Sequence, residues 1–266
     1  MSQPDEMGLT REAALGYEQY FVPAIFNQWP PVLMAAAQID EGDNLLEVGC
    51  GTGVLAREAT KLVGSTGSVT GFDLSESMLS VARDICPGVD FRQGNVMALP
   101  FDDAAFDVVM APFMLMFVPD PVKAVEEMWR VLKPRGRFVV AVWDNLKRSE
   151  VYSGLVEIAQ ARIGADEGLS LAWPFSLGEE GKLEEIFRSA GISQVKIDTR
   201  DGRAIFPSLE QFVRTEIQSW VLSDKVDEDS VAATIADSKV RFAAFCDSDG
   251  AIDMPLHALL ASARKN

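Results

Sequence analysis

From about residue 44 onward, short β-branched runs alternate with longer stretches whose apolar residues recur every three or four positions. That alternation is the pattern of βαβ units built on a parallel sheet. Leu45 to Val48 reads as the first strand, and the turn Gly49-Cys50-Gly51-Thr52-Gly53 opens a helix with Leu55, Ala59, Leu62 and Val63 on one face. Gly64 and Gly67 end that helix. Ser68 to Phe72 is a second strand, Ser75 the N-cap of a helix through Met78, Leu79 and Ala82, and Val89 to Arg92 a third strand. Phe106 to Met110 is the fourth. Asp120-Pro121 starts a helix carrying Val122, Val125, Met128, Trp129 and Leu132, which Lys133-Pro134-Arg135-Gly136 stops. Arg137 to Trp143 is too apolar to be half exposed and is expected to be a central strand covered on both faces.

Beyond Trp143 the rhythm loosens. Residues 150–163 and 178–190 read as helices on either side of a loop containing Trp173-Pro174-Phe175. Val195 to Thr199 alternates as a strand, and Arg200-Asp201-Gly202 is expected to turn the chain as a hairpin into Arg203 to Phe206. Helices are expected at 208–222 and 229–245, while Leu256 to Ala263 fits helix or strand equally by periodicity.

Composition narrows the chemistry. The 266 residues, 48% hydrophobic and 24% charged, suit one globular domain with embellishments. Lys and Arg total 24 against 40 Asp and Glu, and the resulting charge of −16 would repel a nucleic-acid backbone. The single histidine, His257, cannot build a His-rich metal cage, and any Ser/His/Asp triad would have to use it. Cys50, Cys86 and Cys246 show no CxxC spacing, so neither a disulfide framework nor a thiolate metal site is expected. With no basic leader followed by an apolar stretch and no membrane-spanning run, the chain is expected to be cytoplasmic and without a membrane partner.

In an open parallel sheet, ligands bind at the carboxyl ends of the strands, where the strand order reverses. The glycine turn sits at such an end and lets a ligand approach the backbone without meeting a Cβ. Gly51-Thr52-Gly53-Val54-Leu55-Ala56 fits the dinucleotide pattern GxGxxA, with Asp73 twenty residues after Gly53. Glu47 opposes that reading, because a carboxylate beside a pyrophosphate costs a few kcal/mol at an effective dielectric of about 20. A cationic ligand removes the penalty. S-adenosylmethionine carries an ammonium and a sulfonium, offers ribose hydroxyls to Asp73, and has no phosphate.

Leu45 to Gly53, LLEVGCGTG, resembles the first motif of class I S-adenosylmethionine-dependent methyltransferases, and Gly71 to Leu79, GFDLSESML, resembles the second. Gly94 to Phe101 followed by Phe106-Asp107-Val108-Val109 is similar to the segment that lines the adenine and enters the fourth strand. Val131 to Arg137 is similar to the turn into strand five. Tyr17 to Pro23, Pro174 to Gly178 and His257 to Arg264 resemble the bacterial small-molecule, UbiE-like subgroup. The resemblance implies that Glu47 and the backbone at Gly49, Cys50, Gly51 and Gly53 hold the methionine part. It gives Asp73 the ribose, Leu74 and Met78 the adenine face, and Gly94, Asn95 and Val96 the adenine edge. Asn95 stands where the family usually has Asp, so an amide carbonyl would accept from the adenine amine without charge assistance. Ala111 and Pro112 occupy positions that face the transferable methyl in relatives.

Met116 stands where many relatives have His or Gln, so no general base is expected there, and no catalytic residue is assigned. In-line methyl transfer gains much from alignment in dry surroundings, and an acceptor that is already nucleophilic needs no base. A phenol or amine acceptor would need Tyr17, Tyr20, Glu18, Asp144 or His257, none of which the sequence positions. Met110, Met114 and Met116 read as apolar filling at a strand end or as pocket wall. Tyr17, Tyr20, Met116, Trp143 and Trp173 are the candidate substrate contacts.

The resulting expectation is an α/β, Rossmann-like, doubly wound, mostly parallel seven-stranded sheet with helices on both faces and helical cap insertions. Strand seven is either the Arg203–Phe206 run or the Leu256–Ala263 run, and the resemblance to the family's ending favours the latter. The chain divides into an N-terminal helical cap (1–40), a cofactor-binding core (41–145), a helical insertion (146–190) and C-terminal strands with a helical substrate wall (191–266). Such a protein, a monomer or homodimer without a metal, would transfer a methyl group from S-adenosylmethionine, releasing S-adenosylhomocysteine, to a small, partly apolar acceptor. The rivals are a cofactor-binding module that transfers nothing, another S-adenosylmethionine-dependent reaction, and an NAD-dependent oxidoreductase.

Overall fold

The structure, a computed structural model, describes residues 9–218 and 226–266. Nine strands are described: β1 (Asn44–Val48), β2 (Ser68–Asp73), β3 (Asp90–Gln93), β4 (Phe106–Pro112), β5 (Leu132–Trp143), β6 (Val195–Arg200), β7 (Arg203–Phe206), β8 (Ile252–Pro255) and β9 (Ala258–Arg264). Seven of them form one sheet in the order β3-β2-β1-β4-β5-β9-β6. Pairing is parallel from β3 to β5, whereas β9 runs antiparallel to both β5 and β6. From β1 the chain winds outward to β2 and β3, then returns to the other side as β4 and β5. The order therefore reverses between β1 and β4, and a crevice opens at their carboxyl ends.

The helices are α1 (Arg11–Gly16), α2 (Trp29–Ala37), α3 (Ala56–Val63), α4 (Glu76–Ile85), α5 (Pro121–Val131), α6 (Glu150–Arg162), α7 (Ala165–Ser170), α8 (Lys182–Ser189), α9 (Leu209–Gln218) and α10 (Glu228–Arg241). Their starts follow the expected caps. Ser75 Oγ accepts from the Met78 N–H at 3.1 Å, and Asp120 accepts from the Lys123 N–H at 2.9 Å with Pro121 in the first turn. α2 meets α3, β4 and β5, while α5 packs with α8, so helices cover both faces of the sheet. β5 is buried from Phe138 through Trp143, as its apolar run requires.

Several expectations need correction. Arg203–Phe206 does not form a hairpin with β6; β7 leaves the main sheet and pairs antiparallel with β8 in a separate ribbon. The assignment of Leu256–Ala263 as strand seven holds, since β9 fills the slot between β5 and β6 and pairs along both edges. α8 packs under the sheet, with Phe187 fully buried against Phe138 of β5 at 5.7 Å between ring centres. Residues 178–181 are not helical: a Cβ on Gly178 would lie 2.4 Å from the Asp144 backbone, and Gly181 has φ +78°. The helix expected over 208–222 is described to Gln218, and the rest lies outside the described residues. In the N-terminal cap, Tyr17–Phe26 is a π-helical stretch around Pro23, whose missing N–H accommodates the wider turn.

Among the described residues, no helix is long and apolar enough to cross a membrane, and no cluster of His, Cys, Asp and Glu could hold a metal.

Candidate active site

The crevice at the carboxyl ends of β1 and β4 opens into a cavity of about 310 Å³. Its floor is the glycine turn after β1. Gly49, Gly51 and Gly53 all have positive φ, +68°, +52° and +81°. A Cβ on Gly49 would lie 2.3 Å from Met114 Cβ, so only glycine fits there. A Cβ on Gly51 would instead project into open space, with Tyr17 the nearest group at 3.9 Å. Tyr17 lines the cavity above the turn, its phenol pushed up by burial and by the nearby Asp73, Glu18 and Glu47 carboxylates.

Two carboxylates frame this floor. Asp73, at the end of β2, accepts the Gly51 N–H at 2.8 Å and the Ser75 N–H at 2.9 Å, tying the turn to the start of α4. Glu47 is 2% exposed; it accepts the Ala56 N–H at the start of α3, and its Oε2 is buried with no hydrogen-bond partner among the described residues. Desolvation, with Asp73 adding repulsion, pushes its carboxyl up to about 8. A buried acceptor with nothing to accept calls for a donor from a ligand, and a cationic donor would restore the carboxylate.

Leu74, Met78, Gly94, Asn95 and Val96 line one flank of the cavity. Asn95 is exposed, and its Oδ1 already accepts the Met97 N–H at 2.9 Å, capping a short 3-10 turn. Cys50 also lines the floor, where burial pushes its thiol up and so disfavours a thiolate nucleophile.

The opposite wall is aromatic. Phe113 stacks on Trp143 at 4.0 Å, and Trp29 and Phe26 close against both rings. The indole N–H of Trp29 is buried without a partner among the described residues. Trp173, 52% exposed, stands at the rim beside Phe117.

Four expected site residues are placed elsewhere. Tyr20 is exposed and does not reach the cavity. Met116 is turned into the core at 3% exposure, and its neighbours Met114 and Phe117 line the cavity in its stead. The reason is the 3-10 turn Leu115–Phe117, which rotates successive side chains by about a third of a turn. Ala111 is fully buried within β4, leaving Pro112 on the wall, and Gly53 packs behind the turn against Phe91. Gly53 therefore shapes the turn from behind.

Of the groups considered as bases, Glu18 accepts from Thr52 at 2.5 Å and Arg57 at 2.8 Å, clamping the N-terminal cap onto the glycine turn. Asp144 is tied to Arg148 at 2.5 Å, and His257 lies off the cavity wall, its Nδ1 3.0 Å from Asp201. Sequence reasoning missed Tyr152 of α6 and Glu216 of α9, which both line the cavity and hydrogen-bond to each other at 2.7 Å. A signal for Glu216 was present: it lies four residues after Phe212 and one before Ile217, a carboxylate set into the buried stripe of α9.

A reversed-order parallel sheet with an antiparallel strand inside its edge, and a glycine turn under two acids at the switch point, define the crevice type in which doubly wound α/β proteins bind nucleotide-like ligands. Residues 46–140 match the family model described as a methyltransferase domain. A demethylmenaquinone methyltransferase of Lactococcus lactis is 33% identical over 180 residues, 62% of this chain and 71% of that protein. Among solved structures, the YcgJ protein of Bacillus subtilis aligns with a TM-score of 0.61 at 19% identity, over 90% of this chain and 98% of that one. A phosphoethanolamine N-methyltransferase of Haemonchus contortus, solved with S-adenosylhomocysteine, aligns with a TM-score of 0.62 at 19% identity, over 97% of this chain and 58% of that one.

The chain belongs to the class I S-adenosylmethionine-dependent methyltransferases. It transfers a methyl group from S-adenosylmethionine to a small, partly apolar acceptor, and the dinucleotide reading of the glycine turn gives way to this one.

Proposed function

We propose that the cavity holds both partners of the transfer, with the cofactor on the glycine floor and the acceptor against the aromatic wall. In this reading Glu47 pairs with the ammonium of the methionine part, and the backbone at Gly49, Cys50 and Gly51 follows its chain. Asp73 takes the ribose hydroxyls, Leu74 and Met78 cover the adenine, and Asn95 and Val96 border its edge. The observation that carries the reading is the orphaned, buried Oε2 of Glu47 above three glycines of positive φ. The bound cofactor supplies an electrophilic methyl carbon on a positively charged sulfur; the protein's part is to align it and exclude water.

The acceptor face is supplied by Trp143, Phe113, Phe117 and Trp173, which suit a flat ring, while the unpaired Trp29 N–H supports a polar atom on that ring. An acceptor of the demethylmenaquinone kind, for which the curated relative is named, falls within this class. Residues 9–40 act as the cap over the cofactor and 41–145 as its binding core, while α6 and α9 close the cavity beside the acceptor. Titration calorimetry with S-adenosylhomocysteine tests the floor, with one site expected and none in Gly51→Val. Transfer of labelled methyl to a panel of aromatic acceptors tests the wall; activity confined to hydrophilic amines would refute the aromatic assignment.

A further inference from the structure

Glu216 and Tyr152 are the polar pair left without a task when the cofactor lies on the glycine floor and the acceptor on the aromatic wall, and any role for them rests on that arrangement. Tyr152, 6% exposed on α6, is held edge-on by Phe212 at 5.4 Å and tilted against Phe175 at 5.2 Å. Its hydroxyl donates to Glu216 Oε1, which fixes the carboxyl's orientation at the cavity wall. Burial raises the Tyr152 phenol, so it stays a donor, and raises the Glu216 carboxyl to about 7, partly offset by the tyrosine's hydrogen bond.

No other charge acts on Glu216 among the described residues. On α9 and α10, Arg214 pairs with Glu210 and Glu228, and Lys239 faces Glu210. On the β7–β8 ribbon Arg203 pairs with Asp253, and Arg241 of α10 reaches Glu157 of α6. A carboxylate placed on an otherwise aromatic wall, oriented by one donor and neutralised by no cation, serves no ion pair. It has the form of a proton acceptor facing a bound molecule.

We propose that Glu216, oriented by Tyr152, is the catalytic base of the transfer, and that the acceptor is a phenol or enol whose hydroxyl proton it removes. The acceptor's O–H bond breaks and its proton passes to the Glu216 carboxylate. The electron pair left on oxygen, or on the carbon conjugated with it, forms the new bond to the methyl carbon. The methyl–sulfur bond breaks with its pair kept by sulfur, which discharges the sulfonium; attack through carbon is completed by tautomerisation that restores the hydroxyl. Glu216 then releases its proton to solvent.

The test compares wild type, Glu216→Gln, Glu216→Asp and Tyr152→Phe with two probes, 1,4-dihydroxynaphthalene and 2-naphthalenethiol, at a pH where the thiol is already ionised. S-adenosylhomocysteine binding, measured by calorimetry, serves as the check that each variant is folded. Glu216→Gln is expected to slow transfer to the dihydroxynaphthalene roughly 100-fold or more while leaving the thiolate within about threefold. With S-adenosylmethionine saturating at every pH, so that Glu47 does not contribute, the acidic limb of the pH–rate profile should disappear in that variant, return in part with Glu216→Asp, and shift with Tyr152→Phe. Equal loss on both probes, or an unchanged profile in Glu216→Gln, overturns the proposal. A wild type that binds adenosylhomocysteine but methylates neither probe overturns it as well. Failure of the wild type to bind adenosylhomocysteine instead overturns the cofactor site on which the proposal stands.

Discussion

Cofactor binding should release a proton, and Glu47 should be its source. With its carboxyl pushed up to about 8, Glu47 is roughly nine-tenths protonated at pH 7 in the unliganded protein. Pairing with an ammonium requires the carboxylate, so binding S-adenosylhomocysteine at pH 7 should liberate about 0.9 proton. Calorimetry in buffers of different ionisation enthalpy measures that number as the slope of binding enthalpy against buffer enthalpy. The Glu216→Gln background removes the second raised carboxyl from the count. Affinity should rise about tenfold per pH unit up to roughly pH 8 and then level off, because one pKa unit is worth about 1.4 kcal/mol.

The same shift sets the stability of the unliganded protein. The folded carboxyl binds its proton more tightly than the unfolded one, whose ordinary value is 4.5, so between 4.5 and about 8 the folded state holds more protons. Stability must therefore fall as pH rises through that window, by an amount of order 5 kcal/mol. Glu47→Gln should abolish this slope, make the unliganded protein more stable than wild type at pH 8, and weaken cofactor binding. A buffer slope near zero in the wild type, or one that survives in Glu47→Gln, would refute the assignment of the ammonium to Glu47.

Asp73→Ala should weaken S-adenosylhomocysteine binding by about 1–3 kcal/mol, since it removes the proposed ribose partner and the acceptor that holds the Gly51 and Ser75 N–H groups; unchanged affinity by calorimetry would contradict the proposal. Gly51→Val should eliminate binding while keeping a cooperative thermal melt, because its side chain points at φ +52° into the cavity toward Tyr17 and meets no core atom. Phe187→Ala should cost about 3–5 kcal/mol in denaturant unfolding without altering cofactor affinity, since the ring is fully buried against Phe138 and forms no part of the cavity wall.

The parallel half of the molecule was legible because its signals are local. Strand-length apolar runs, N-caps at Ser75 and Asp120, and glycines demanding positive φ each act within a few residues. Asp73 and Glu47 could be read as site acids for the same reason, since a strand end and the following turn position them together. Met116 shows where this fails: the motif placed it facing the substrate, but one 3-10 turn sent it into the core and brought Met114 and Phe117 to the wall. Tyr20 fails likewise, because a π-helical stretch does not keep the spacing of an α-helix.

By itself, then, the sequence determined the sheet's parallel core and the glycine turn with its two neighbouring acids, all consequences of backbone sterics and charge over short distances. Tertiary structure decided the acceptor wall. Tyr152 and Glu216 lie 64 positions apart and meet only because α6 and α9 fold over the same cavity. The direction of β7, the depth of α8 and the placing of β9 between β5 and β6 were also decided there. Each depends on which distant surfaces exclude water together, a quantity that no window along the chain contains.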